Sequence, residues 1–128
     1  GVRAAFPEAK ITLVTGRSAA TVLENCPYVD AVLPIDLKQR LPGLLMFLRQ
    51  MREARREQRP DVCLMPDRSL RAALGGLLCG ARHRVGFATE GRDLSLTHRI
   101  PYQGDRHEVE SCLDLLRLVA SEPPQQPY

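Results

Sequence analysis

Short apolar runs rich in β-branched residues alternate along this chain with longer stretches in which apolar residues recur at helical spacing. Four of the short runs predict strands, namely "KITLVT" (10–15), "AVLPID" (31–36), "DVCLM" (61–65) and "HRVGF" (83–87). The nearly continuous apolar run at 61–65 is typical of a parallel strand that is covered on both faces. A fifth segment, "LSLTHRI" (94–100), fits either a strand or an extended connection.

Helical periodicity predicts four helices between and after these strands. Their predicted spans are 19–26, 42–57, a third helix that includes Arg68 and ends at Gly80, and a fourth from His107 to Ala120. The residues predicted to face the core are Leu44, Phe47, Leu48 and Met51 in the second helix, Leu70, Leu74, Leu77 and Leu78 in the third, and Val109, Leu113, Leu116 and Val119 in the fourth.

Strands that alternate with helices predict a parallel sheet built from right-handed β-α-β units. The expected fold class is therefore α/β, a Rossmann-like parallel sheet in three layers. Gly75 and Gly76 lie inside the third predicted helix, where each costs up to ~1 kcal/mol relative to Ala. We expect a close approach of this helix to the sheet to offset that cost.

Arg68 and Arg71 are predicted to lie in the first turns of the third helix. This position is unusual for a cation, because a helix N-terminus is locally positive and favours anions. Ligands of such sheets bind beyond the carboxyl ends of the strands. This edge is predicted to carry six candidate ligand-binding residues, which are Arg68, Ser69, Arg71, Glu90, Arg92 and His107.

Each candidate also has a purely structural interpretation. Arg68 and Arg71 either bind an anionic ligand or point into solvent and pair with Asp67 or Glu90. Asp67 or Ser69 can cap the helix by accepting an unpaired backbone N–H. His107 is either a ligand contact or the polar boundary of the last helix.

Composition and net charge restrict the class of binding partner only slightly. The 128 residues suit one domain, and a net charge of +3 with a pI near 8.9 mildly favours anionic partners. The preference for Arg over Lys is explained either by recognition of phosphate or carboxylate or by genomic base composition. We predict no nucleic-acid binding, because aromatic residues are few and the positive charge is interspersed with Glu.

The four cysteines, Cys26, Cys63, Cys79 and Cys112, stand far apart without metal-ligand spacing. No metal site and no cofactor are therefore predicted, and reduced, buried thiols of a cytoplasmic protein are the expected state. No apolar run approaches the length of a membrane span.

Six segments in order resemble the ADP-heptose:lipopolysaccharide heptosyltransferases of glycosyltransferase family 9, in particular the heptosyltransferase II type. They are "RAAFPEAKITLVTGRSA", "CPYVDAVLPID", "RPDVCLMPDRSLRAAL", "GARHRVGF", "EGRDLSLTHRIP" and "HEVESCLDLL". The resemblance covers almost the whole chain and corresponds to the N-terminal half of that family.

This resemblance implies a two-domain GT-B enzyme, whose C-terminal domain binds ADP-heptose and whose N-terminal domain receives the acceptor. Residues 1–120 would form the acceptor-side domain and 121–128 a linker to the nucleotide-sugar domain. The family's catalytic base is an Asp in a Gly-Asp loop after the first strand, a segment that would precede Gly1. The implied acceptor is the lipopolysaccharide inner core, with its Kdo carboxylates, and the implied location is the cytoplasm or the cytoplasmic face of the inner membrane, with peripheral contact.

Three expectations follow from this resemblance and from the predicted strand order. The isolated chain should lack glycosyl transfer activity, and Arg68, Arg71 and Arg92 should line one positive concavity. "KITLVT" and "DVCLM" should be separated by the width of a missing first strand, ~10 Å. The alternative function is a non-catalytic α/β module that binds an anionic or phosphorylated small molecule.

Overall fold

A computed structural model describes residues 1–35, 41–57, 59–89, 91 and 93–121. The five helices assigned in these residues are α1 (Val2–Ala5), α2 (Arg17–Leu23), α3 (Leu41–Glu57), α4 (Leu70–Leu78) and α5 (Glu108–Ser121). The strands assigned there are β1 (Thr12–Gly16), β2 (Ala31–Ile35), β3 (Val62–Met65), β4 (His83–Ala88) and β5 (His98–Pro101), and a short 3-10 helix spans Asp93–Ser95. The predicted α/β class is confirmed.

The chain divides into two compact units, Gly1–Gln50 and Met51–Tyr128. In the first unit β1 and β2 pair in parallel, with Thr12 opposite Ala31 and Gly16 opposite Ile35. Asp30 fixes the start of β2, because its carboxylate accepts a hydrogen bond from the Ile11 backbone N–H at 2.6 Å and from Arg3 at 2.7 Å. Both donors stabilise the ionised form and lower the pKa of Asp30.

The second unit contains a three-stranded parallel sheet in the order β3-β4-β5. Helix α4 packs on β3 and on the 3-10 helix, while α5 packs on β4. Val85 and Phe87 of β4 and Leu115 of α5 are each only 1% exposed, so the core of this unit lies around the central strand.

Two of the predictions about α4 are confirmed. A Cβ built on Gly76 would lie 2.5 Å from the sulfur of Met65 in β3, so Gly76 allows the close approach of helix and sheet. Gly80 follows the helix with a φ of +71°, and its N–H donates to the Leu77 carbonyl. This left-handed conformation suits glycine and ends the helix.

The predicted buried face of α4 is wrong. Leu70, Leu74 and Leu77 are 64%, 46% and 43% exposed, whereas Ala73, Gly75 and Gly76 are buried. Helix α4 is apolar almost all round, so periodicity could not choose between its faces. The small residues face the sheet because they allow the shortest distance between the helix and β3.

The predicted buried face of α5 is wrong in part. Val119 is buried as expected, but Val109 and Leu113 are exposed and the buried positions one and two turns before Val119 are Leu115 and Ser111. Because Ser111 is polar, the apolar periodicity of the sequence did not indicate the face of α5 that is buried. The backbone carbonyl of His107 accepts the Ser111 hydroxyl at 3.5 Å, which allows the burial of this side chain.

The strand "KITLVT" belongs to the β1-β2 sheet and "DVCLM" to the β3-β4-β5 sheet, so no ladder joins them in the described parts of the chain. Direct pairing would have contradicted the expected gap between them. The gap itself and its cause, a missing first strand, stay predictions.

Candidate functional site

The candidate site lies at the carboxyl edge of the β3-β4-β5 sheet, where β3 leads into α4 and β5 leads towards α5. Ser69 is the N-cap of α4, and its hydroxyl accepts the backbone N–H of Ala72 at 3.2 Å. The carboxylate of Asp67 accepts both the N–H and the hydroxyl of Ser69, each at 2.9 Å. These bonds satisfy a free N–H of the helix and fix the turn that carries Arg68.

Arg68 does not lie in the first turns of α4, as was predicted, but two residues before the helix begins at Leu70. The reason is the extended backbone of the Ser69 cap, with φ −74° and ψ 152°. Arg68 therefore lies outside the helix, and the direction of its side chain is not set by the helical backbone. Arg71 alone lies in the first turn.

The guanidinium of Arg68 contacts Tyr102, which directly follows β5, and Glu108, the first residue of α5. It stacks on the ring of Tyr102 at 3.8 Å from the ring centre, and its Nη1 lies 3.3 Å from a carboxylate oxygen of Glu108. The Tyr102 hydroxyl donates to the same oxygen at 3.1 Å. Among the described residues the partners of Arg68 are thus Tyr102 and Glu108 instead of the predicted Asp67, and both raise the pKa of Arg68.

His107 lies next to this cluster and caps α5. Its ring Nδ1 accepts the backbone N–H of Val109 at 3.2 Å, while its carbonyl accepts the N–H groups of Glu110 and Ser111. The structural interpretation of His107 as a helix boundary is confirmed. A neutral ring that accepts through Nδ1 carries its proton on Nε2, so Nε2–H is the group left to contact a ligand.

Arg71, in the first turn of α4, is half-buried and forms no hydrogen bond or ion pair with another residue that the structure describes. It does not pair with Asp67, whose carboxylate is engaged by Ser69. Glu90 and Arg92 lie outside the described residues. The predicted concavity lined by Arg68, Arg71 and Arg92 therefore stays a prediction.

The chemistry available at this edge is the recognition of an anion. Arg68 offers a planar donor that can bind a carboxylate or phosphate through two hydrogen bonds, and the N-terminus of α4 adds a positive field. Within 1–35, 41–57, 59–89, 91 and 93–121, no three His, Cys, Asp or Glu side chains are grouped as metal ligands.

Sequence reasoning did not select Tyr102 or Glu108 as site residues. Tyr102 directly follows β5, so the rule that ligands bind beyond the carboxyl ends of parallel strands points to it once β5 is recognised as a strand. Glu108 lies in the first turn of α5, where an acidic residue is favourable to the helix by itself. Its pairing with Arg68 joins residues 40 positions apart and has no local signal.

Comparison with known proteins gives structural matches without sequence matches. No protein-family model matches the sequence, and no curated protein matches it significantly. A glycosyl transferase family 9 protein from Veillonella parvula DSM 2008 matches 91% of this chain and 34% of its own, with a TM-score of 0.80 and 19% identity. The E. coli ADP-heptose LPS heptosyltransferase II matches 98% of this chain and 38% of its own, with a TM-score of 0.69 and 20% identity.

This chain has the fold of part of these two glycosyltransferases. It spans little more than a third of their length. The expected GT-B type of α/β fold is thereby supported at the level of the backbone. None of the helices that the structure describes is long and apolar enough to cross a membrane.

Proposed function

We propose that this chain is the acceptor-binding part of a glycosyltransferase that moves a heptose from ADP-heptose to the lipopolysaccharide inner core. The observation that carries the proposal is the match of its backbone to two glycosyltransferases, at TM-scores of 0.80 and 0.69. The anion-binding edge around Arg68 supports the choice of acceptor, because the inner core presents the carboxylates of Kdo sugars.

In this proposal Arg68 is the principal acceptor contact. Its guanidinium exchanges the single long contact to Glu108, 3.3 Å, for a carboxylate of the acceptor, while Tyr102 holds the guanidinium plane by stacking. The Nε2–H group of His107 and the side chain of Arg71 add further donors. Ser69, Glu90 and Arg92 complete the proposed acceptor-binding set, Ser69 chiefly by fixing the turn.

The transfer forms a bond between an acceptor hydroxyl oxygen and the anomeric carbon of the heptose, and breaks the bond from that carbon to the ADP oxygen. A base takes the hydroxyl proton, and ADP leaves with the electron pair. We assign the base and most of the ADP-heptose site to segments other than these 128 residues, as the resemblance implies. No cofactor and no metal are proposed, and the reaction is placed at the cytoplasmic face of the inner membrane, which the protein contacts peripherally.

A transfer assay tests this function. The full-length gene product and the 128-residue chain are incubated separately with ADP-heptose and a Kdo-containing lipid A acceptor, and products are identified by mass spectrometry. We expect the acceptor to gain one heptose with the full-length protein and no product with the isolated chain. Product from the isolated chain would contradict the assignment of the base to another segment, and no product from either would favour the non-catalytic binding module.

Replacement of Arg68 by Ala in the full-length protein tests the acceptor contact. Loss of a charged hydrogen bond costs ~1.5–3 kcal/mol, so kcat/KM for the acceptor should fall by roughly 10- to 150-fold. The apparent KM for ADP-heptose should change little. We expect the same direction, with a smaller effect, for Arg71→Ala.

Arg52→Ala is the matched control, because Arg52 is an exposed arginine of α3. This substitution should leave kcat/KM for the acceptor unchanged. Equal losses for the acceptor and for ADP-heptose would show that Arg68 acts through the structure of the edge rather than through acceptor contact.

A further inference from the structure

Helix α4 presents three large apolar side chains to solvent, which we call the leucine stripe. Leu70, Leu74 and Leu77 are 64%, 46% and 43% exposed, while the opposite face of the helix packs on β3. Their spacing of four and three residues puts them on one side of the helix. Single exposed leucines are common at protein surfaces, whereas a row of them marks a surface that meets an apolar partner.

The 3-10 helix at Asp93–Ser95 exposes a further apolar side chain nearby. Leu94 is 97% exposed, and this short helix packs on α4. Arg84 locates the contact, because its Nε donates to the Ser95 carbonyl at 2.6 Å and its Cδ lies 3.8 Å from a Cβ built on Gly76. Leu94 is therefore on the same side of the sheet as the leucine stripe.

The segment that carries the leucine stripe is basic and contains no acidic residue. From Arg68 to Thr89 the chain has four arginines and no Asp or Glu. Arg71 directly follows Leu70 and so borders the stripe, and Arg82 is exposed just beyond the end of α4. Neither Arg71 nor Arg82 forms a hydrogen bond or ion pair with another residue that the structure describes. An apolar row bordered by cations fits a partner that is both apolar and anionic.

We propose that the leucine stripe lies on a membrane surface of anionic lipid, with the leucines at the boundary between headgroups and acyl chains and the arginines at the phosphates. Burial of apolar side chains and attraction between basic side chains and anionic headgroups hold interfacial helices in this way. The surface is continuous with the anion-binding edge, because Leu70 follows Arg68 by two residues. The inference rests on the proposed function, since a lipid-linked acceptor would reach Arg68 from the plane of the membrane.

A second copy of this chain fits the same surface less well. In a two-fold symmetric dimer the leucine stripe would meet itself, so the arginines beside it would approach the arginines of the other copy. The segment from Arg68 to Thr89 offers no carboxylate to pair with them. Like charges brought together without partners oppose such a contact, whereas an anionic lipid surface neutralises them.

Flotation with lipid vesicles tests the proposal. The full-length gene product is mixed with vesicles of phosphatidylcholine, with or without phosphatidylglycerol, and with neither acceptor nor ADP-heptose present. We expect binding to be at least ~10-fold stronger to the anionic vesicles and to weaken as salt is added. Equal binding to both kinds of vesicle, or no binding to the anionic ones, would overturn the proposal.

Replacement of the leucine stripe by glutamine assigns the binding to this surface. Gln has nearly the helix propensity of Leu, so Leu70→Gln, Leu74→Gln and Leu77→Gln together should leave α4 folded. Binding to anionic vesicles should fall at least ~10-fold, because the apolar contact with the lipid is lost. If this variant does not fold, Arg82→Gln is measured instead and should weaken the binding by roughly 5-fold. Unchanged binding in the folded variant would overturn the proposal.

The matched control removes three exposed apolar side chains from the first unit. Val22→Gln, Leu45→Gln and Met46→Gln change residues that are 81%, 67% and 47% exposed. This variant loses a similar amount of apolar surface but keeps the leucine stripe, so its binding to anionic vesicles should be unchanged. An equal loss in the control and in the stripe variant would overturn the assignment to α4.

Two further measurements separate this inference from the alternatives. Light scattering after gel filtration gives the mass in solution, and a dimer that the stripe variant converts into monomers would overturn the proposal in favour of a second copy. The transfer assay is independent, because the vesicles contain no acceptor. Vesicle binding without heptose transfer would contradict the proposed function alone, and heptose transfer without vesicle binding would contradict this inference alone.

Discussion

Arg68 has a partner of opposite charge within the chain before any ligand binds. Glu108 is at 3.3 Å, and the side chains of Arg68 and Glu108 are 39% and 59% exposed. Such a pair at the rim of a surface is worth only ~0–1 kcal/mol. A carboxylate of the proposed acceptor can therefore displace Glu108 at little cost.

Glu108→Gln tests this exchange at the residue scale. The amide oxygen of Gln can still accept the Tyr102 hydroxyl, but the charge that competes with the acceptor is removed. We expect KM for the acceptor to fall by up to ~5-fold, the equivalent of a surface ion pair, with kcat unchanged. Steady-state kinetics with the full-length protein measure this.

Glu110→Gln is the matched control for this prediction, because Glu110 lies 3.5 Å from Arg106 and belongs to a different ion pair. A rise in KM for Glu108→Gln would mean that Glu108 holds Arg68 in its binding position and does not compete for it.

At the scale of single elements, α4 and α5 show how the buried face of a helix is chosen. Each helix offers more than one apolar face, and in each the observed choice follows the neighbouring strand. Helix α4 presents Ala73, Gly75 and Gly76, while α5 presents Leu115 and Val119. Leu70, Leu74 and Leu77, which dominate the sequence pattern of α4, remain exposed.

Leu115→Ala and Leu113→Ala form a matched pair that tests the face of α5. Leu115 is 1% exposed and Leu113 is 37% exposed. We expect the free energy of unfolding to fall by ~2–5 kcal/mol for Leu115→Ala and by less than ~1 kcal/mol for Leu113→Ala. Urea denaturation followed by circular dichroism gives both values. Equal losses would mean that the two leucines are buried to a similar extent.

Gly80→Ala tests the end of α4. The left-handed backbone of Gly80, at φ +71°, and the Arg55 side chain 2.9 Å from a built Cβ both oppose a methyl group. The free energy of unfolding should fall by ~1–2 kcal/mol from the backbone conformation alone. Gly104→Ala is the control, since its nearest neighbour is at an ordinary 3.7 Å. An unchanged stability for Gly80→Ala would show that the chain leaves α4 in another conformation.

At the scale of the whole molecule, the two compact units differ in the paired strands and the buried apolar side chains that stabilise them. The first unit contains the β1-β2 pair, and its buried apolar side chains among the described residues are Ala20 and Phe47. The second contains three paired strands around the fully buried side chains of Val85, Phe87 and Leu115. A two-stranded sheet is marginally stable without further packing.

Hydrogen exchange of the 128-residue chain should therefore be uneven. We expect the backbone amides of β1 and β2 to exchange at least ~10-fold faster than those of β4, which has partners on both sides. Exchange followed by mass spectrometry of proteolytic fragments measures the difference. Equal protection of β1 and β4 would mean that both sheets open together in a single cooperative step.

The sequence by itself determined the order and type of most elements. The strands at 10–15, 31–36 and 61–65 and the helix stop at Gly80 could be predicted because β-branched runs, turn residues and a glycine after a helix are local signals. The parallel α/β class followed, since strands separated by helices need crossover connections. The cap formed by Ser69 could also be predicted from a local signal. With Ser69 as the cap, however, the helix begins at Leu70, and Arg68 lies before it.

Only the tertiary structure decided which residues meet. Arg68 and Glu108 are 40 positions apart, and the contact of Met65 with Gly76 sets the register of α4 against β3. The buried faces of α4 and α5 depended in the same way on the surface presented by β3 and β4. Contacts between distant residues and the choice among several apolar faces are set by packing, for which the pattern along the chain carries no local signal.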